Sequence, residues 1–217
     1  MRVLKKPEER RNDILDAAEA LFASKGYTKA TILDILQETG IAKGTFYYYF
    51  QSKEEVMNAI VMRYIGYGEA AALRIARDPA LSAADKILHI VTRQGADTDG
   101  KSKVIEQLHD VENAQMHQKS LVETILRLSP ILTRVVEQGI EEGVFRTSVP
   151  REAVEFLLIS SQFLLDRGIF GWESEEIARK AYGFAAIAET LLGARSGTFA
   201  YIAELYESSP TINESRG

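Results

Sequence analysis

Between Lys43 and Lys53 the chain reads KGTFYYYFQSK, with five aromatic rings in eleven residues. On a helix, at about 100° per residue, Phe46 and Phe50 share one face while Lys43 and Tyr47 share another. The two phenylalanines, together with Tyr48, are expected to be core. Lys43, Gly44, Thr45, Tyr47 and Tyr49 are then left facing outward on a helix of barely two turns. Each suits a DNA groove. A lysine donates to guanine O6 or N7, and a threonine offers a hydroxyl and a methyl to a base edge or a thymine methyl. Glycine lets the backbone approach closely. A tyrosine ring packs on sugar while its hydroxyl reaches a phosphate, and Lys53, in the first turn of the next helix, can neutralise one.

The rest of the chain offers little chemistry of other kinds. There is no cysteine, which excludes disulfides, thiolate nucleophiles and Cys-based metal sites. Only three histidines occur, and His109 and His117 are eight residues apart across an expected helix break, which is not a metal-ligand spacing. No Ser/His/Asp set or phosphate-binding loop is visible. No catalytic residue, metal or cofactor is therefore expected, and the chain is not read as an enzyme.

The elements that must position the aromatic stretch are helical. In EERRNDILDAAEALFASKGY, Ile14, Ala17, Ala18, Leu21 and Phe22 recur at three- and four-residue spacing before Gly26, predicting a helix over residues 7–24. Thr31 with Asp34 caps a short helix carrying Ile32, Ile35 and Leu36, and Gly40 ends it. A second short helix covers 43–50, and Ser52 with Glu55 forms the capping box of a helix reaching Arg77 before Asp78-Pro79. Helix, glycine turn, helix is the helix-turn-helix pattern, whose second helix enters the major groove.

Further helices are predicted over about 82–94, 101–114 and 117–142, the last ended by Gly139 and Gly143. Others follow from Pro150 to about 167, from Ser174 to about 192 and over 198–207, before a polar tail. Nothing alternates with the period of a strand. The fold class is all-α: a three-helix DNA-binding domain over residues 1–53, with the helix from 52 as link, and a larger helical domain over 54–217. Charge divides the same way. Residues 1–53 hold nine Lys/Arg against seven Asp/Glu, a net +2, and the remainder holds 17 against 24, a net −7. A slightly basic head on an acidic body suggests two parts with different partners. The charged N-terminus and the absence of a long apolar run point to a cytoplasmic location.

Residues 10–56, ILDAAEALFASKGYTKATILDILQETGIAKGTFYYYFQSKEEV within them, resemble the N-terminal domain of TetR-type transcriptional regulators nearly position by position. The segment GIAKGTFYYYFQSKEEV is the most specific part. The resemblance implies an all-α homodimer that binds a palindromic operator as a repressor and releases it when a small molecule enters the C-terminal domain. It places base reading on Lys43, Gly44, Thr45 and Tyr47, and backbone contacts on Thr31, Tyr49 and Lys53. Tyr49 stands where a histidine is commoner, and Gln51 where a lysine is frequent.

In the C-terminal body, AVEFLLISSQFLLD is apolar nearly all the way round a helix, and EEIARKAYGFAAIAETLLGA carries a broad stripe rich in small residues. A helix buried on two sides near the end of a chain this short is expected to face its own core and a partner subunit. The dimer is therefore expected through helices near 150–167 and 174–192, where the resemblance also puts it. Polar or aromatic residues within apolar patterns supply the candidate ligand contacts: His89, His117, Gln162, Phe163 and Tyr182. The acidic body favours a neutral or cationic effector. The competing reading is an all-α small-molecule carrier or enzyme without a role on DNA.

Overall fold

A computed structural model describes residues 6–95 and 114–207; the expected helix over 101–114 lies almost wholly outside them, as does His109. Every regular element among the described residues is a helix: α1 Pro7–Lys25, α2 Ile32–Thr39, α3 Lys43–Tyr49, α4 Lys53–Ala76, α5 Ala83–Gly95, α6 Ala114–Glu141, α7 Pro150–Leu164, α8 Arg167–Phe170, α9 Ser174–Leu192 and α10 Tyr201–Glu207. None is long and apolar enough to cross a membrane.

The described residues pack as two compact units, 6–66 with 114–120 and 67–95 with 121–207. In the first, Ile14, Leu15, Ala18 and Phe22 of α1 meet Ile35 of α2, Phe46 of α3, Phe50, and Val56, Met57 and Ile60 of α4, all of them buried. Loop chemistry sets the angles between these short helices. Thr31 caps α2: its hydroxyl accepts from the Asp34 amide at 3.1 Å and donates to the Asp34 carboxylate at 2.8 Å, and that carboxylate also accepts from the Thr31 amide. Gly40 ends α2 in the left-handed region at φ 64°, where a side chain would be strained, and the chain turns directly into α3. Ser52 accepts from the Glu55 amide as expected, but Glu55 reaches back to the Gln51 amide, one residue before the cap.

The second unit is built on Leu128, Ile131, Leu132, Val135 and Val136 of α6, Ala153 and Val154 of α7, and Ile177, Ala181, Phe184, Ala185, Ala188 and Leu192 of α9. Buried residues from the end of α4, from α5 and from α10 close round them. Lys86 is buried here with its ammonium donating to the Ala76 carbonyl at 2.8 Å and to Gln138 at 2.7 Å, so it joins the last turn of α4 to α6. Gly139 does not end α6 as expected. It lies inside the helix, where a Cβ would overlap the Phe145 ring; Gly143, at φ 74°, makes the turn. α7 also stops sooner than expected, at Leu164, and α8 follows as a single turn.

Candidate nucleic-acid interface and effector cavity

α3 has a backbone of seven residues and only one of its side chains, Phe46, is fully buried. Phe50, in the extended residue after it, is buried as well and lies 6.1 Å from Phe46 between ring centres. These two anchors hold the helix on its support and leave Lys43, Gly44, Tyr47 and Tyr48 exposed. Lys43 and Gly44 are exposed, Thr45 is half-buried, and a Cβ placed on Gly44 would meet no atom within 4 Å. Tyr47 is 37% exposed, its ring edge-on to Phe46, with the Lys43 ammonium 5.8 Å from its centre. The first turn of α3 therefore offers a cation, a hydroxyl, bare backbone and a phenol side by side.

One assignment in the tyrosine run is reversed. Tyr48, expected in the core, is 76% exposed, whereas Tyr49 is half-buried against the core of the first unit. The reason is angular: Tyr48 stands about 200° from Phe46 on the helix and Tyr49 about 60° from it on the near side. Tyr48 is thus an outward-facing ring that sequence reasoning missed, and counting degrees would have found it.

Lys53 has a part in the fold beyond its expected one. Its ammonium donates to the carbonyls of Tyr27 at 2.7 Å and Ala30 at 3.0 Å, and sits 4.2 Å from the centre of the Tyr27 ring. It is spent on fastening the α1–α2 loop, which leads directly into Thr31. Thr31 itself is exposed, with its hydroxyl engaged in the cap. Asp34 completes this corner by taking an ion pair from Lys25 at 2.7 Å. The Lys25 ammonium first, and the Thr31 hydroxyl and amide after it, hold the Asp34 carboxyl down at about 2.

The second unit contains a cavity of ≈ 410 Å³ walled by α5, α6, α7, α9 and α10. That size suits a small organic molecule. Val154, Leu157, Leu158, Ser161 and Gln162 bring one face of α7 to it, and Leu165, just after the helix, extends that face. Of the five expected ligand contacts, Gln162 alone lines this cavity. His89 is exposed on α5 and His117 is half-buried in the other unit's part of α6. Phe163 and Tyr182 are surface residues of α7 and α9, the latter 72% exposed. A polar residue in an apolar run marks a boundary between faces, and periodicity alone does not say which side of it the residue takes. The apolar walls missed by the sequence reading, such as Ile90, Leu132 and Phe184, read there simply as core.

The outer face of α7 is apolar too. Phe156, Ile159 and Phe163 are all exposed, and they lie about 180° round the helix from the cavity face. α7 packs on α9, whose own outer face shows Tyr182 and Ile187 on either side of Gly183 and Ala186. Among the described residues no group of three or more His, Asp and Glu could hold a metal ion.

Comparison with known proteins agrees with this arrangement at both ends of the chain. Residues 14–60 match the family model of bacterial regulatory proteins of the TetR family, and residues 98–187 match the C-terminal domain model of tetracyclin repressor-like proteins. The chain is 50% identical over 52 residues to an uncharacterised HTH-type transcriptional regulator of Lactococcus lactis subsp. lactis, covering 24% of this chain and 26% of that protein. It is 29% identical over 157 residues to the HTH-type transcriptional repressor KstR2 of Rhodococcus jostii, covering 68% of this chain and 74% of that one. In fold it is similar to SmeT, the repressor of the Stenotrophomonas maltophilia multidrug efflux pump SmeDEF, with a TM-score of 0.61 at 21% identity over 87% of this chain and 92% of that one. An N-terminal helix-turn-helix with an exposed reading face and a C-terminal helical unit with an apolar cavity are the two halves of one design, and the chain belongs to the TetR family as a ligand-responsive, DNA-binding transcriptional regulator.

Proposed function

We propose that the protein is a repressor that binds a palindromic operator as a homodimer and leaves it when a small molecule fills the cavity. The observation that carries the DNA part is the outward set on α3. Lys43, Thr45 and Tyr47 read base edges, Gly44 lets the backbone close on the groove, and Thr31, Tyr48 and Tyr49 meet sugar and phosphate. Lys53 acts mainly by holding the loop that presents Thr31, and contributes its charge to the phosphates from there.

The dimer follows from α7 and α9. A monomer would leave Phe156, Ile159, Phe163, Tyr182 and Ile187 in water on two neighbouring helices. Gly183, beside which a Cβ would meet nothing within 4 Å, gives a second copy room to approach. Two recognition helices about one DNA turn apart then read two half-sites, which multiplies the specificity of a helix too short to provide it alone.

Selection from random duplexes tests this reading directly. The wild-type chain should enrich a two-fold symmetric site and sediment at twice its chain mass, with Phe156→Glu reducing both. A monomer in solution, or no sequence preference even at low salt, overturns it.

A further inference from the structure

We propose, resting on the reading of the cavity as the effector site, that the part of the effector held inside it is uncharged and that Gln162 reads its hydrogen-bonding group. Among the described residues, no lysine, arginine, histidine, aspartate or glutamate lines the cavity. A carboxylate or ammonium entering it would lose its hydration and gain no counter-charge, which buried ions do not tolerate. The net −7 of the chain beyond residue 53 favours a cation, but none of the acidic side chains among the described residues reaches the cavity wall.

Three of the described side chains on the wall carry polar atoms: Ser161, Gln162 and Tyr206. The Ser161 hydroxyl donates to the Leu158 carbonyl at 3.0 Å, so its one proton is spent within α7. Tyr206 is engaged with the protein as well. The Gln162 carboxamide has no hydrogen bond within the described residues, although it can donate two and accept two. It sits at the edge of the cavity face of α7, where a hydroxyl, ketone or amide on an otherwise apolar molecule would complete it. Apolar walls then supply affinity, and Gln162 supplies orientation and selectivity.

Calorimetric titration of the full-length chain tests this with probes that share one flexible tail: 1-octanol, octanoate and octylammonium, each below its aggregation concentration. Heptyl methyl ether, an isomer of the alcohol without a donor, serves as the fourth. The alcohol should bind at least about tenfold more tightly than either ion. Gln162→Leu should weaken the alcohol about fivefold and abolish its preference over the ether while the thermal midpoint stays in place. Gln162→Glu should shift the preference to octylammonium. An ion that binds the wild type as tightly as the alcohol, no binding of any probe, or an unchanged alcohol-to-ether ratio in Gln162→Leu would each overturn the proposal. Operator binding, followed in the same samples, keeps the two readings apart: a probe that occupies the cavity and leaves DNA affinity unchanged tells against the effector reading, not against the cavity's chemistry.

Discussion

The two units use the same apolar residues to opposite ends. In the N-terminal unit Ile14, Phe22, Ile35, Phe46, Met57 and Ile60 fill the interior, and most of the side chains we propose for DNA contact lie on the outside of a seven-residue helix. In the C-terminal unit a comparable set leaves ≈ 410 Å³ open, and the proposed site is inside. A surface that must present side chains at fixed angles to a rigid duplex needs a support without slack. A site that must admit a molecule needs a place where packing is incomplete.

The largest effect that probes this contrast is truncation within each core. Phe46→Ala removes a fully buried ring from the filled unit and should cost about 3–5 kcal/mol. Leu158→Ala, on the half-buried wall of the cavity, enlarges a space that already exists and should cost only about 1 kcal/mol. Paired denaturant titrations check the difference, and equal losses would break the comparison.

Next in size is Lys53→Met. Its ammonium holds the Tyr27 and Ala30 carbonyls, so the substitution should destabilise the first unit by about 1–3 kcal/mol as well as weaken binding to every DNA sequence. A variant of unchanged thermal stability would return Lys53 to a purely electrostatic part on the phosphates.

Gly44→Ala sharpens the contrast from the other side. A Cβ there meets nothing in the protein and removes a flexible residue from a helix, so stability should hold or rise by up to about 1 kcal/mol. DNA affinity should nonetheless fall, because the methyl group occupies the space the groove needs. Parallel thermal melts and mobility-shift assays read both quantities, and unchanged affinity would remove Gly44 from the interface.

The smallest effect is a pH dependence of the α1–α2 corner. The Asp34 carboxyl titrates lower in the folded chain than its ordinary 3.8 because Lys25 and Thr31 stabilise the charged form. A depressed carboxyl contributes stability that is complete above 3.8 and is lost as pH falls from there towards about 2. Acid titration of wild type and Asp34→Asn should therefore converge at the low end of that window.

Much of the first unit was legible because its determinants are local. Thr31 with Asp34, Gly40, and the Phe46–Phe50 spacing each act within a few residues, and the structure uses all three as the sequence suggests. Tyr48 was misplaced by angle, not by any distant contact. The part of Lys53 in the fold is hidden for a different reason: its partners lie on a loop more than twenty residues earlier, which no local pattern reports. The same limit governs the second unit. The two opposed apolar faces of α7 could be seen in AVEFLLISSQFLLD, but a cavity is a shortfall of packing among five helices. Its walls are indistinguishable from core in one dimension, and so His89, His117, Phe163 and Tyr182 were chosen by residue type and only Gln162 reaches it.

The division of labour within α3 decides how the protein meets DNA, and Tyr47→Ala tests it most directly. Selection from random duplexes with the wild type and this variant, alongside their thermal midpoints, should show a symmetric site lost and a midpoint moved by no more than about 2 °C, the shift expected of a surface substitution. A Tyr47→Ala chain that unfolds, or that still enriches the wild-type site, would contradict it.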